Sequence, residues 1–170
     1  MTLIENHLTQ LRGKFGSKLL FAEVTSTNRI RLKIHKDDLI DLMQFIASEL
    51  KFTSLEAISG VDYETYFEVV YHLDRWDGDA TVIQVHVKIE DRETPIIPSI
   101  TSIWGSANWH ERELFDLFGI DVKNHPNLKR LLLPEEWDDY KHKHISELHP
   151  MRRDYQLPDK PFSFKPQANQ

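Results

Sequence analysis

The sequence contains no cysteine among its 170 residues. Its absence excludes disulfide bonds, thiolate ligation of iron–sulfur clusters and a cysteine nucleophile within this chain. The sequence also has no phosphate loop of the GxGxxG or GxxxxGK[ST] type, no GxSxG nucleophile elbow and no HExxH zinc motif. The common sequence signals of nucleotide-binding and hydrolytic enzymes are therefore missing.

Long apolar runs are missing as well. No segment approaches the roughly 20 apolar residues that a membrane-spanning helix needs, and residues 1–16 lack the basic and apolar regions of a secretory signal. We therefore expect that any membrane contact comes through partner proteins.

Glycine is absent after Gly119, whereas six of the eight prolines lie beyond residue 120. Proline-rich chain without glycine tends to be extended and stiff, and its leucines argue against a disordered tail. We predict a globular domain over residues 1–119 and an extended strap over residues 120–170 that lies across this chain or wraps partner subunits.

The charges divide at the same place, with 12 Lys/Arg against 19 Asp/Glu up to residue 120 and 9 against 8 after it. Because nucleic-acid binding needs a basic face, the acidic body disfavours it.

Hydrophobic periodicity indicates the elements of the domain. Apolar residues at helical spacing predict three helices, and alternation predicts five strands. The predicted helices cover residues 2–16, 37–50 and 107–118, and the strands cover 19–24, 29–34, 55–63, 66–73 and 81–89. Asp37 or Asp38 can cap the second helix, and we expect Gly119 to end the third. This order predicts a two-layer α+β domain (helix-strand-strand-helix-strand-strand-strand) with a largely antiparallel sheet, followed by the third helix and the strap. Asp77-Gly78 predicts a hairpin between the last two strands.

The third helix concentrates charged side chains. Asn108 and Glu111 have capping-box spacing, and Arg112 and Asp116 are four residues apart, which allows an ion pair on one helix face. Glu111 and Glu113, with His110, could instead perform acid–base catalysis in a dry pocket. The pattern favours an amphipathic structural helix with a salt-bridged polar face over an independent enzyme.

Histidines suggest two incomplete metal sites. His110 and Glu113 are three residues apart, but two ligands do not close a site. A cluster further along could bind zinc or nickel, although we expect these side chains to be ordinary surface histidines; it comprises His142, His144 and His149. A stand-alone metal-binding module therefore remains an alternative function.

Two segments combine His-Pro with a basic pair: HPNLKR (125–130) and HPMRRDY (149–155). Arginine suits carboxylate and phosphate partners, so these segments could bind a nucleotide, a phospholipid head group or an acidic protein surface. A binding or scaffold role agrees best with these residues.

The stretch WHERELFDLFGIDVKNHPNLKRLLLPEEW (109–137) resembles the hallmark segment of the 30-kDa subunit family of respiratory complex I, known in bacteria as the C subunit of NADH-quinone oxidoreductase. GVDY (60–63), FEVVYHL (67–73), PSITSIWGSANW (98–109) and HPMRRDY are also similar to family segments. Val122 replaces a common aromatic residue, and the link over residues 138–148 is longer than usual. These departures indicate a branch away from the ordinary bacterial and chloroplast enzymes. The resemblance therefore allows an alternative, the equivalent subunit of a deazaflavin (F420H2) dehydrogenase or of a membrane-bound NiFe hydrogenase.

The resemblance implies a non-catalytic structural subunit in the hydrophilic arm of a membrane-associated, proton- or ion-pumping oxidoreductase. Such a complex passes electrons from NADH or another reduced carrier to a quinone-like acceptor. The implied partners are a hydrogenase-large-subunit-like (49-kDa type) subunit, the subunit with the terminal iron–sulfur cluster and other subunits of the arm. The resemblance implies no cofactor in this chain, with iron–sulfur clusters and a flavin or NiFe centre on the partners. The implied location is peripheral, on the cytoplasmic face of the cell membrane or the equivalent face of an organelle membrane.

The resemblance assigns no catalytic, cofactor or metal-binding residue to this chain. It implies subunit-interface and strap-anchoring roles, and we expect the basic residues among these positions to pair with carboxylates on partners. The positions are Trp109, Glu111, Arg112, Glu113, Asp116, Phe118, His125, Pro126, Leu128, Lys129, Arg130, Trp137, His149, Arg152, Arg153, Asp154 and Tyr155.

Overall fold

A computed structural model describes residues 2–75, 80–134, 137 and 148–156. The chain order of its elements is α1 (Leu3–Phe15), β1 (Leu19–Ser26), β2 (Arg29–Ile34), α2 (Leu39–Ser48), β3 (Ser54–Asp62), β4 (Phe67–Asp74), β5 (Val82–Ile89), β6 (Ile96–Pro98), α3 (Ala107–Phe118) and β7 (Asp121–Lys123). None of the helices in these ranges is long and apolar enough to span a bilayer.

The main sheet has the strand order β1-β2-β5-β4-β3. All neighbours are antiparallel except β2 and β5, which run parallel with Ile30 beside Ile83 and Ile34 beside Val87. After β2 the chain passes through α2 to the far edge of the sheet and returns through β4 to the centre. The two-layer α+β prediction is confirmed, and the parallel pairing is the feature that periodicity alone did not reveal. The predicted hairpin at Asp77-Gly78 lies outside the described residues.

Alternating strands give the sheet one buried face. In β2, Ile30, Leu32 and Ile34 are buried, and the same alternation in β5 buries every second residue. These side chains form one hydrophobic core with apolar residues of all three helices. Burial of this contiguous apolar surface is the main term that stabilises the domain.

The helix starts differ from the predicted ones. Thr2 and Glu5 form a reciprocal capping box at α1. Asp38, which we expected as a possible cap of α2, makes no side-chain cap bond there. A short 3-10 turn, Lys36–Asp38, precedes the helix, and the Asp38 carboxylate instead pairs with Lys18 at 2.6 Å.

Helix α3 packs on β3 through a position without a side chain. A Cβ at Gly60 would lie 2.7 Å from the ring of Phe118 and 2.9 Å from Leu114. The Phe118 ring also meets Phe67 edge-on, with ring centroids 6.3 Å apart, in the arrangement that aromatic pairs prefer. Glycine at position 60 therefore sets how closely α3 approaches the sheet.

A second, two-stranded sheet fixes the chain on both sides of α3. Strands β6 and β7 run parallel with Ile97 beside Val122. The N–H of Asp121 donates to the carbonyl of Pro95 at 2.8 Å, and the N–H of Ser99 donates to the carbonyl of Lys123 at 2.9 Å. The first residues of the strap are thereby hydrogen-bonded to the loop that precedes α3.

We predict that Gly60→Val destabilises the chain by about 1–3 kcal/mol, because the added side chain overlaps Phe118 and Leu114. Urea unfolding followed by circular dichroism measures this change. Gly13→Ala is the matched control: it lies inside α1, where a Cβ meets nothing within 4 Å, and we expect it to stabilise by roughly 0.5–1 kcal/mol. A Gly60→Val variant as stable as the wild type would show that α3 is free to shift.

Candidate functional site

Residues 125–133 of the strap lie alongside α3 and run in the same direction as the helix. His125 Nε2 donates to the carbonyl of Asn108 at 3.2 Å, near the start of α3. Arg112, one turn further, donates to the carbonyls of Lys129 and Arg130 at 3.1 and 2.8 Å. Residues 131–133 then reach Asp116, near the end of the helix. Helix α3 and residues 125–133 thus form one continuous hydrogen-bonded unit, which we call the α3–strap junction.

Asp116 is the centre of this junction. Its carboxylate is fully buried, and Oδ2 accepts the N–H groups of Leu131, Leu132 and Leu133 at 3.0, 2.6 and 2.9 Å. The other oxygen, Oδ1, accepts from Arg130 at 2.8 Å. Burial favours the protonated acid, but the N–H of Leu133 and the other donors outweigh it and hold the pKa of Asp116 below its ordinary value. The chain here folds three consecutive amides around an anion that it supplies itself.

The expected Arg112–Asp116 ion pair is therefore wrong. Both side chains are buried, and each bonds to the strap instead of to the other. The Arg112 guanidinium also stacks over the ring of Trp109, 4.9 Å from its centroid. The polar face that we expected to be salt-bridged is instead bonded to the strap at these two residues.

Glu111 does not form a capping box with Asn108, so this prediction is wrong too. The helix begins at Ala107, and its N-cap residue Ser106 makes no side-chain cap bond. Glu111 is 1 % exposed and accepts from the N–H of Ile100 and the hydroxyl of Ser99, both at 2.7 Å. Burial raises the pKa of Glu111 despite these hydrogen bonds. Its carboxylate therefore holds the loop before α3.

Residues 149–151, further along the strap, cap the C-terminus of α3. Gly119 adopts the left-handed conformation that ends the helix, as predicted. His149 Nδ1 donates to the carbonyl of Asp116 at 2.9 Å, and the N–H of Met151 donates to the carbonyl of Leu117 at 3.0 Å. A Cβ at Gly119 would lie 2.5 Å from the His149 ring. Burial lowers the pKa of His149, so this imidazole acts as a neutral cap and is not the surface histidine that we expected.

A second carboxylate, Asp62 at the end of β3, anchors the returning strap. It pairs with the Arg92 guanidinium through both oxygens and accepts the N–H of Arg153 at 2.9 Å. Arg152 donates to the carbonyl of Arg92 at 3.2 Å and to Asp154 at 2.9 Å. Burial opposes ionisation of Asp62, but the Arg92 guanidinium and the backbone donors hold its pKa below the ordinary value.

Sequence reasoning missed Asp62 and Arg92 as anchors. Asp62 belongs to the GVDY segment, which was the one signal that pointed to it, whereas Arg92 has no recognisable motif around it. Arg130, Arg152 and Arg153 bond to carboxylates and carbonyls of this chain, including Glu64 at 2.7 Å from Arg153. The partner carboxylates that we expected for these arginines are replaced, in the described residues, by this chain's own groups. Their interface role stays a prediction.

The remaining expected interface residues divide by exposure. Phe118, Trp137 and His149 are buried, and Trp137 Nε1 donates to the carbonyl of Leu148 at 3.0 Å. Trp109 is 60 % exposed. Pro126 and Lys129 are also exposed, and the His125 imidazole is buried. The others are half-buried, namely Glu113, Leu128 and Tyr155.

Two kinds of independent chemistry were considered, acid–base catalysis at His110, Glu111 and Glu113 and metal binding by histidines. Neither site is assembled in the part of the chain that the structure describes. No group of three or more His, Asp or Glu side chains lies close enough there to hold a metal ion. His142 and His144 lie outside that part. A groove of about 500 Å³ opens beside Phe115 and His149, but it is not lined by His110, Glu111 or Glu113.

We predict that Asp116→Asn costs about 3–5 kcal/mol of unfolding free energy, because Arg130 loses a buried charged partner. The matched control Asp121→Asn breaks the exposed pair with Lys123 and should cost about 0–1 kcal/mol. Since the folded pKa of Asp116 lies below its ordinary 3.8, its contribution is present above that pH and is lost as the pH falls through the folded pKa. Urea titrations between pH 2 and 7 measure both effects. Equal losses in the two variants would contradict the anchor role.

Glu111 should show the opposite pH dependence. Its folded pKa lies above the ordinary 4.5, so the folded state binds more protons and stability falls as the pH rises from that value through the folded pKa. We predict that Glu111→Gln flattens this part of the stability curve. Urea unfolding between pH 4 and 8 measures the slope, and an unaltered slope in Glu111→Gln would refute the assignment.

Comparisons with known proteins agree with these motifs. Residues 32–161 match the family described as respiratory-chain NADH dehydrogenase, 30 Kd subunit. The C subunit of the F(420)H(2) dehydrogenase of Methanosarcina mazei is 35 % identical in an alignment of 161 positions that covers 91 % of this chain and 90 % of that protein. The C subunit of the NADH-quinone oxidoreductase of Roseiflexus sp. is 39 % identical over 130 residues, covering 73 % of this chain and 68 % of the relative.

Two further comparisons show a longer relative and a solved structure with a similar fold. A longer relative, the C/D subunit of the NADH-quinone oxidoreductase of Azotobacter vinelandii, is 31 % identical over 87 % of this chain but only 25 % of its own length. A chain of the membrane-bound sulfane sulfur reductase, an archaeal respiratory membrane complex, superposes with a TM-score of 0.74 at 21 % identity over 99 % of both chains; at this identity the likeness shows the fold alone. The family match over residues 32–161 carries the conclusion that this chain belongs to the 30-kDa subunit family of the respiratory-chain NADH dehydrogenase.

Proposed function

We propose that this chain is a non-catalytic structural subunit in the hydrophilic arm of a membrane-associated, proton- or ion-pumping complex I-type oxidoreductase. The observation that carries this proposal is that three charged side chains of α3 are buried and form structural hydrogen bonds. Glu111, Arg112 and Asp116 are buried, and each is bonded to a loop or to the strap. Side chains bonded in this way stabilise the fold and are not accessible to a substrate.

The oxidoreductase role rests on the relatives. Their names include the C subunits of NADH-quinone oxidoreductase and of F(420)H(2) dehydrogenase. We propose that the complex passes electrons from a reduced carrier to a quinone-like acceptor, and that iron–sulfur clusters and a flavin or NiFe centre are carried by partner subunits, with none in this chain. We also propose a peripheral position at the cytoplasmic face of the membrane or its organellar equivalent.

The proposed partners are a 49-kDa-type, hydrogenase-large-subunit-like protein and the subunit with the terminal iron–sulfur cluster. The C/D relative supports the 49-kDa-type partner. Only 25 % of its length aligns with this chain, so it joins a segment like this one to a much longer stretch of further protein. We propose that the strap, after its anchors at Asp116 and Asp62, continues onto such partners.

A deazaflavin dehydrogenase is the second candidate among complexes of this type. The relative of that name aligns over 91 % of this chain, including residues before the family match begins. Reduced deazaflavin would then replace NADH as the electron donor. Activity of the purified complex with each donor separately decides between these two branches.

Tagging this chain, solubilising the membranes in detergent and identifying the co-purified proteins by mass spectrometry tests the proposal. We expect an iron–sulfur subunit and a large subunit of the hydrogenase-like type in stoichiometric amounts. Purification of the chain without any oxidoreductase subunit, or substrate turnover by the isolated chain, would contradict the structural role.

We predict that Arg112→Ala lowers the amount of assembled complex several-fold but leaves turnover per assembled complex near the wild-type value. The physical reason is that the strap loses its two bonds to α3 at the carbonyls of Lys129 and Arg130. Arg29→Ala, which removes an exposed arginine of β2, is the control and should change neither quantity. Native gels quantify assembly, and donor oxidation per complex gives turnover. A fully assembled Arg112→Ala complex without electron transfer would instead assign Arg112 a direct chemical role.

A further inference from the structure

The Asp116 anchor has a consequence for the three leucines that it holds. Because the N–H groups of residues 131–133 converge on one carboxylate oxygen, the backbone bends tightly around Asp116. We call these residues the leucine bend. A bend whose amides all point inward places side chains on its outer side, and Leu132 is accordingly 61 % exposed. Leu131 and Leu133 are half-buried on either side of it.

A second large exposed apolar side chain, Trp109, lies on the face of α3 that carries Asp116. Trp109, Arg112 and Asp116 are spaced three and four residues apart, so they share one helix face. Trp109 is therefore about 10 Å along the helix from Asp116, at 1.5 Å rise per residue. Its ring is held by the Arg112 guanidinium, whose other contacts fix the strap. Trp109 and Leu132 are thus two exposed apolar groups on one rigid unit.

The charge between these two groups limits the kind of partner. Lys129 is bonded through its carbonyl to Arg112, which lies between Trp109 and Asp116 on α3, so this lysine is positioned between the two apolar groups. It is exposed, and it forms no ion pair within residues 2–75, 80–134, 137 and 148–156. Its carbonyl is bonded to Arg112, so the backbone that carries this cation is fixed. A partner that covers Trp109 and Leu132 must place a carboxylate near Lys129 or leave that charge without a counter-ion.

We propose that the leucine bend and Trp109 form a preformed apolar plug that inserts into an apolar cleft with an acidic group at its rim on another subunit of the oxidoreductase. This inference rests on the proposed function and adds the contact surface to it. The plug needs no ordering on docking, because Asp116 and Arg112 already fix its backbone and its ring. Contact surfaces that are rigid before binding lose little conformational entropy, which favours affinity. Exposed apolar patches with a polar margin are typical of such surfaces.

Leu132→Asp tests the plug in the assembled complex. The side chain is exposed, so the substitution leaves the Asp116 bonds in place, and thermal unfolding of the variant chain should match the wild type. We expect the recovery of oxidoreductase subunits with the tagged chain to fall at least about tenfold. Leu20→Asp, on the edge strand β1, is the matched control, since Leu20 is 51 % exposed and should lower recovery less than about twofold.

A second measurement does not depend on loss of binding. Leu132→p-benzoylphenylalanine, irradiated in the otherwise wild-type complex, should cross-link to one oxidoreductase subunit, and the same substitution at Leu20 should not. Wild-type recovery with Leu132→Asp, equal losses in both variants, or no cross-link from position 132 would each overturn the plug. If the wild-type chain itself recovers no oxidoreductase subunit, the proposed function fails and the plug fails with it. If the wild-type chain recovers them and Leu132→Asp does so equally, the plug alone is wrong.

Discussion

The carboxylate of Asp116 is the interaction on which the junction between the domain and its strap depends. It is fully buried and accepts four donors, three of them consecutive main-chain amides and the fourth the Arg130 guanidinium. A buried charge is costly unless it is paired and hydrogen-bonded, so the strap is not an optional addition to α3. Removing the strap would leave this carboxylate, and the Arg112 guanidinium beside it, without the partners that make their burial possible.

The same dependence holds at the end of α3. The last carbonyls of a helix have no partner within the helix, and here His149 and Met151, more than 30 residues away in sequence, supply donors for two of them. Asp62 and Arg92 then hold the chain that brings these donors back to the domain. Helix and strap are thus mutually stabilising, and a chain with this motif presents a defined surface before it meets any partner.

This arrangement explains why a segment rich in acids and bases does not look like an active site once it is folded. Glu111 holds the loop before α3, Arg112 and Asp116 hold the strap, and Arg152 joins two distant segments. Among the described residues of the α3–strap junction, the exposed large apolar side chains are Trp109 and Leu132, and Lys129 is exposed as well. The proposed structural role would use this rigid surface, not reactive groups.

Local patterns in the sequence were sufficient for the three helices, the five strands of the main sheet and the family, but they missed the short strands β6 and β7. Alternation identified β2 and β5, apolar spacing identified α1 to α3, and Gly119 marked the end of α3, because each of these signals depends on neighbours within a few residues. The roles of the α3 charges could not be read in the same way. Spacing paired Arg112 with Asp116 and Glu111 with Asn108, yet their actual partners lie 11 to 18 residues away. Only the tertiary path of the chain decided these bonds, because a buried charge bonds to whichever donors and acceptors the fold brings to it.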